Sequence, residues 1–125
     1  MRAFRVLLVD DEEELVATIQ ERLEIRGIVA EAVTTGHEAL ERIQQTAFDV
    51  VVVDLKMPGL DGTEIIDVIR VRRPEIRVLL ITGHGSGHGE LEELVDRGYR
   101  VLLKPFKIDR LIEMIREVAG GEAGR

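Results

Sequence analysis

Apolar residues fall along this chain in two alternating arrangements: short, nearly continuous runs, and stripes that repeat every three or four positions. The runs predict strands and the stripes predict amphipathic helices. Phe4-Arg5-Val6-Leu7-Leu8-Val9 forms the first run and ends at Asp10-Asp11. From Glu12 the period changes. Leu15, Val16, Ile19 and Leu23 share a helical face, and Glu12, Glu13 and Glu14 occupy the first turn, where the helix dipole favours anions. Gly27 closes that helix. Ile28-Val29-Ala30-Glu31-Ala32-Val33 predicts a second strand, with Glu31 marking a sheet edge. Thr35 then caps a helix carrying Ala39, Leu40 and Ile43, and Glu38 completes a capping box.

Phe48 leads into Val50-Val51-Val52-Val53-Asp54. Four β-branched apolar residues in succession predict a strand enclosed on both faces. Its terminal acid is followed by Leu55-Lys56-Met57-Pro58-Gly59-Leu60-Asp61-Gly62, a stretch that no strand continues through. Ile65, Ile66 and Ile69 mark a third helix, stopped before Pro74. Ile76–Ile81 predicts a fourth strand ending at Thr82, and the loop Gly83–Gly89 holds four glycines in seven residues. A short helix bearing Leu91, Leu94 and Val95 follows, then a fifth strand at Tyr99–Leu103, terminated by Lys104-Pro105. The last helix carries Ile108, Leu111, Ile112, Ile115 and Val118, and residues 120–125 are expected to fray. Five strands alternating with five helices predict an α/β fold: one domain with a parallel sheet covered on both faces.

Composition narrows the function. The 125 residues suit one domain with a sizeable core, and hydrophobic residues at 45% disfavour disorder. The net charge of −7, with only one Tyr, three Phe and no Trp, disfavours a direct nucleic-acid surface. No apolar run approaches the ~20 residues of a membrane span, and Met1-Arg2-Ala3-Phe4 begins a strand instead of a signal peptide. The absence of cysteine excludes disulfides and thiolate metal sites. A cytoplasmic location is the default.

In a parallel sheet the strand ends emerge at one edge, which is where α/β proteins bind ligands. Here that edge collects Asp10 and Asp11 after the first strand, Asp54 at the third, Thr82 at the fourth and Lys104 at the fifth. If the first and third strands are neighbours, at least three carboxylates converge; ~4 Å apart at an effective dielectric of ~20 each pair repels by ~4 kcal/mol, and such a cluster demands a cation. All-oxygen ligands suit a hard ion, and Mg²⁺ fits best. A metal, an ammonium and a hydroxyl around a free carboxylate form the set that stabilises a transferring phosphoryl group. A carboxylate can itself be the nucleophile, so Asp54 is expected to become phosphorylated.

The strand followed by Asp10-Asp11-Glu12, the run from Asp54 to Gly62, Thr82-Gly83-His84-Gly85 and Lys104-Pro105-Phe106 resemble the receiver (CheY-like) domains of bacterial two-component response regulators. The similarity extends from about Phe4 to Ala119, with four motifs in order at family-like spacing. The resemblance implies a flavodoxin-like (βα)5 doubly wound parallel sheet of strand order 2-1-3-4-5. It also implies a receiver domain over residues 1–119 and a flexible tail over 120–125. Asp54 would take its phosphoryl group from a sensor histidine kinase or phosphotransfer protein in a Mg²⁺-dependent reaction, and the change would alter binding to a downstream protein or a phosphorylation-dependent dimer. Asp11, Asp54 and the main-chain carbonyl of Lys56 would hold the metal, with Asp10 reaching it through water. Thr82 and Lys104 would grip the phosphoryl oxygens, and the Lys104-Pro105 peptide would be cis. His84 and Lys56, bordering the site, can affect hydrolysis. With no output domain after Ala119, the chain is expected to be a stand-alone receiver or one cut from a longer protein. The readout face would include Arg97, Arg100, Lys107 and Arg110.

The chain departs from the family at three places. Val101 stands where an aromatic residue usually reports phosphorylation, and Tyr99 lies two positions earlier on the same side of its strand. Gly98 stands six residues before Lys104, where seven is usual, and the loop Gly83–Gly89 is richer in glycine than is typical.

Taken singly, these residues have plainer explanations. Asp10 and Asp11 would serve as helix caps, Thr82 as a strand-end hydroxyl, and Lys104 as a solvated residue before proline. The constellation decides for function. His84 and His88 lie four apart, but the glycines between them fix no helical geometry and a metal pair is not expected. His37 reads as part of a solvated helix start. A Mg²⁺-dependent aspartyl phosphohydrolase, the main alternative, would need a second acid two residues after the nucleophile, as in haloacid-dehalogenase-like phosphatases. That position is Lys56, so a signalling module is preferred to a true enzyme, with phosphoryl transfer to itself and slow self-dephosphorylation its only chemistry. A receiver-like scaffold that is never phosphorylated would have lost an acid, the threonine or the lysine, and none is lost.

Overall fold

The run of valines is the middle of the molecule. A computed structural model describes residues 3–57, 62–83 and 88–120, with residues 88–90 described by backbone alone. Ten elements alternate along it: β1 (Arg5–Val9), α1 (Glu13–Ile25), β2 (Val29–Val33), α2 (Gly36–Gln45), β3 (Val50–Asp54), α3 (Gly62–Arg72), β4 (Arg77–Thr82), α4 (His88–Asp96), β5 (Arg100–Leu103) and α5 (Ile108–Ala119). The strands form one parallel sheet in the order β2-β1-β3-β4-β5. This is the doubly wound order expected from the sequence. Strand β3 takes the centre because every one of its residues is apolar or destined for the sheet's carboxyl edge, and all five are buried.

Side chains alternate across the sheet and feed two separate cores. On one face Leu7, Val9, Val51, Val53, Val78 and Leu80 pack against α2, α3 and α4. On the other, Val6, Leu8, Val50, Val52, Leu79 and Ile81 pack against α1 and α5. Helix α5 is held by Leu111, Ile112, Met114, Ile115 and Val118, all buried, which leaves its charged face to solvent.

Local signals act largely as read. Thr35 caps the helix by accepting the Glu38 amide hydrogen at 3.1 Å, while the Glu38 carboxylate reaches back to the Thr34 amide at 3.4 Å, one residue before the cap, so only half of the expected capping box is formed. Gly27 closes α1 with φ of 81°, a left-handed conformation that costs glycine little. Strand β2 is an edge strand, and its Glu31 takes a two-pronged contact from Arg42, at 2.8 and 3.0 Å, which masks the edge with charge. Boundaries differ from expectation by one residue: the first helix begins at Glu13, with Glu12 at its N-cap, and the first, second, fourth and fifth strands begin at Arg5, Val29, Arg77 and Arg100. The Pro58-Gly59 turn, residues 84–87 with His84, and residues 121–125 lie outside the described residues.

Candidate functional site

The register brings the acids together. Val9 pairs with Val53, so Asp10 and Asp54 leave neighbouring strands at the same height. Strand β4 continues alongside, with Ile81 opposite Asp54 and the Leu55 amide bonded to the Ile81 carbonyl at 3.0 Å. The Lys104 amide donates to the Thr82 carbonyl at 2.8 Å and fixes where the lysine leaves β5. The Lys104-Pro105 peptide is cis. These backbone bonds aim the lysine stem across the ends of three strands.

The Lys104 ammonium sits at the centre of the site. It lies 2.8 Å from Asp10 Oδ2 and 3.1 Å from Asp54 Oδ2, and it also contacts the Glu12 carboxylate. Asp10 and Asp54 are 1% and 3% exposed, and Thr82 is fully buried. Each acid is also anchored locally: Asp10 Oδ1 accepts the Glu12 amide hydrogen and Asp54 Oδ1 that of Lys56, both at 2.9 Å. Asp10 therefore makes the ion pair expected of a functional acid, and its other oxygen holds the amide of Glu12, the N-cap residue, without capping the helix itself.

The charges do not balance. Carboxylate oxygens of Asp10, Glu12 and Asp54 lie within 4.8 Å of one another, against one ammonium. Burial pushes the Asp10 carboxyl above its ordinary value, and the nearby Asp54 charge adds to this, although Lys104 and the Glu12 amide pull the other way. For Lys104, burial alone would lower the ammonium, but hydrogen bonds to Asp10, Glu12 and Asp54 outweigh it and raise the group above an ordinary lysine. Lys104 is thus always charged near neutrality, and the surplus is negative. Asp10 Oδ2 is buried and receives no directed hydrogen bond beyond that ionic contact. An all-oxygen, electron-rich, partly unsatisfied cluster of this kind fits a hard divalent cation.

Of the residues singled out from the sequence, Asp10, Asp54 and Lys104 are brought into contact. Asp11 is exposed and is not among the three clustered acids. Lys56 is exposed at its side chain and joins the site through its amide. Thr82 ends β4 beside Lys104, yet by alternation it belongs to the face of Val78 and Leu80, opposite to that of Asp54. The departure at Val101 has a structural counterpart: Val101 and Tyr99 both pack, half-buried, against the core on the Thr82 side. On the expected readout face three of the four cations are already engaged, Arg97 with Glu93 at 2.7 Å, Arg100 with Glu117 at 2.9 Å, and Arg110 with Glu113 and Glu117.

Two contributors were not singled out. Glu12, which in the sequence reads as one of three acids of the first helical turn, reaches Lys104. Gly62, taken only as the end of a turn, brings α3 against the end of β3: a Cβ there would meet the Asp54 carbonyl oxygen and the Leu55 Cα at 3.0 Å. Both contacts are to backbone and cannot yield by a rotamer change. We expect Gly62→Ala to cost ~1–3 kcal/mol in denaturant unfolding, as overpacking does, and to slow modification of Asp54 by displacing its strand end. An unchanged unfolding midpoint would show that α3 can shift freely.

The family described as "Response regulator receiver domain" matches residues 6–116 of the chain. The chain is 32% identical over 111 residues to the C4-dicarboxylate transport transcriptional regulatory protein DctD of Rhizobium meliloti (strain 1021), a match covering 89% of the chain and 24% of that protein. The chain thus spans about a quarter of the length of that curated relative. Among solved structures, a CheY-like response regulator receiver domain protein from Methanospirillum hungatei JF-1 superposes with a TM-score of 0.86 at 27% identity, over 96% of each chain. The beryllofluoride-activated NtrC4 receiver domain dimer does so with a TM-score of 0.82 at 35% identity, over 94% of this chain and 97% of that one.

Proposed function

The chain belongs to the response regulator receiver domains, and from that premise we propose that Asp54 is its phosphoacceptor, charged by a histidine kinase or phosphotransfer protein in two-component signalling. The observation that carries this reading is the Lys104 ammonium spanning Asp10 and Asp54, because it holds a fixed positive charge where a transferring phosphoryl group would be bound. An Asp54 carboxylate oxygen attacks the phosphorus of the donor phosphohistidine. The new O–P bond forms as the N–P bond breaks, and the leaving imidazole regains a neutral ring by taking up a proton. Lys104 neutralises charge on the equatorial oxygens, and Thr82 offers its hydroxyl to one of them.

Asp10, Glu12 and Asp54 are the acids that would hold Mg²⁺, with Asp11 and the Lys56 carbonyl as the further ligands carried over from the family resemblance. When bound, the ion supplies positive charge against the phosphoryl oxygens. The acyl phosphate adds ~1.5–2 negative charges at the sheet edge. Drawing Thr82 and Lys104 toward that charge shifts the protein between two arrangements and changes its affinity for a downstream protein or for a second copy. The likeness to an activated receiver dimer supports the second outcome. Such a module signals, and its only chemistry is its own phosphorylation and slow hydrolysis. Among the described residues no helix is long and apolar enough to cross a membrane, and the proposed kinase donor sets a cytoplasmic location.

Incubating the protein with a small phosphodonor and Mg²⁺ should add one phosphoryl group by intact mass, and Asp54→Ala should accept none. Modification of Asp54→Ala, or an unmodified wild type at forcing donor concentration, would overturn the assignment. The second of these results would favour the unphosphorylated scaffold.

A further inference from the structure

At the edge of the sheet opposite the acids lies a cavity of about 480 Å³. Its wall carries four arginines from three stretches of the chain: Arg70 near the end of α3, Arg77 at the start of β4, and Arg97 just after α4 with Arg100 at the start of β5. Against them stands one acid, Glu75, which is turned to Arg73 at 3.4 Å. In a chain of net charge −7 this gathers four guanidinium groups around one cavity. We propose that the cavity binds a small phosphorylated ligand of the nucleotide class.

Three of the arginines have acidic partners: Asp67 for Arg70, Glu93 for Arg97 and Glu117 for Arg100. All six side chains are 30% or more exposed. Pairs of that kind contribute little to stability, so giving up one to bind phosphate oxygens costs little. Arg77 is half-buried and has no acidic partner among the described residues. A guanidinium in that position is a ready two-pronged donor to a phosphate. Apolar side chains also line the cavity: half-buried Tyr99 and exposed Pro74 present surface to it, and Ile69, Ile76 and Val118 are buried in its wall. That surface suits a flat ring attached to the anion, and the volume falls in the ~300–1,000 Å³ range of small-molecule sites. A long polyanion would meet the chain's overall negative field, whereas a small one meets only the local arginines.

The site stands apart from the acid edge and does not depend on phosphorylation of Asp54. The strands that supply Arg77 and Arg100 run to Thr82 and to the residue before Lys104, so an occupant would sit at the far ends of the two strands that carry the phosphoryl-gripping groups.

The test is an amide-resolved NMR titration of the full chain, free of magnesium, with ATP, AMP, adenosine and inorganic phosphate. ATP should shift the amides of Arg70, Arg77 and Arg97–Arg100 saturably, and more tightly than adenosine or phosphate alone. Arg77→Gln should weaken binding at least ~10-fold, the loss expected for one charge-assisted hydrogen bond. Arg97→Gln, at an exposed position where misfolding is not a concern, should weaken it measurably. Shifts that never saturate, shifts centred on Asp10 and Asp54, phosphate binding as tightly as ATP, or undiminished affinity in both variants would each overturn the proposal.

Discussion

Replacing Asp54 by asparagine should raise the melting temperature of the magnesium-free protein by ~3 °C while abolishing phosphoryl acceptance. The substitution removes the attraction to Lys104 at 3.1 Å, worth ~5 kcal/mol at an effective dielectric of ~20. It also removes the repulsion with Asp10, whose carboxylate lies within 4.8 Å, worth ~3.5 kcal/mol or more on the same scale. The repulsion with Glu12 is smaller, because that side chain is 58% exposed and water screens it. These pair energies nearly cancel. The remaining effect is desolvation: a carboxylate 3% exposed loses its hydration at an effective cost of several kcal/mol, and an amide in the same place loses less. Asparagine keeps an oxygen for the Lys56 amide, so the local turn survives. The net gain is expected to be ~1 kcal/mol. With Mg²⁺ present the order should reverse, because a ligand that binds only the folded wild type stabilises it by mass action. A fall in melting temperature without metal would show that the Lys104–Asp54 attraction outweighs desolvation.

Lys104→Met should have the larger structural effect, destabilising the metal-free protein by ~2–3 kcal/mol. Removing one partner of a buried ion pair costs ~3–5 kcal/mol, reduced here because the lysine is 18% exposed and Glu12 can turn to solvent. The sign with pH follows from Asp10. Its folded pKa is already raised by burial, and losing the ammonium raises it further. A carboxyl whose folded pKa exceeds its unfolded value costs stability above the folded value, and the cost is relieved as pH falls through it. The gap between variant and wild type should therefore narrow on acidification from neutrality, and narrow at neutral pH when Mg²⁺ is added. A gap independent of pH would mean that only the packing of the lysine stem was lost, because methionine restores that stem incompletely. Unfolding midpoints at several pH values, with constant denaturant dependence, decide between the two.

The parts of the site that could be read from residues are those where a local pattern breaks a rule. A polar residue ending an otherwise apolar strand is such a break, and Asp54, Thr82 and the Asp10-Asp11 pair were all visible in this way. Strand order became legible only through the family resemblance, since alternating strands and helices allow several windings. Glu12 was hidden because it has the same local surroundings as Glu13 and Glu14, and only Lys104, 92 residues away, distinguishes it. Gly62 was hidden because its constraint is contact with another strand's backbone and not its own turn. The four arginines of the basal cavity come from three stretches of the chain, and nothing in any one of them, Arg97 and Arg100 included, points to the others. Long-range coincidence leaves no mark in a short window of sequence.

The sheet also acts as a partition. Two hydrophobic layers flank it, and among the described residues no buried side chain belongs to both. Substitutions in one layer that keep the strands in register should leave the energetics of the other nearly untouched, since distant, unshared sites behave additively. Asp10 and Asp54 share strand parity with the α1–α5 layer, as Thr82 does with the α2–α3–α4 layer. An engineer could therefore exchange the packing beneath the effector-facing helices to retune output while inheriting the acceptor chemistry intact, and the hydroxyl at the end of β4 would be the one piece common to both tasks.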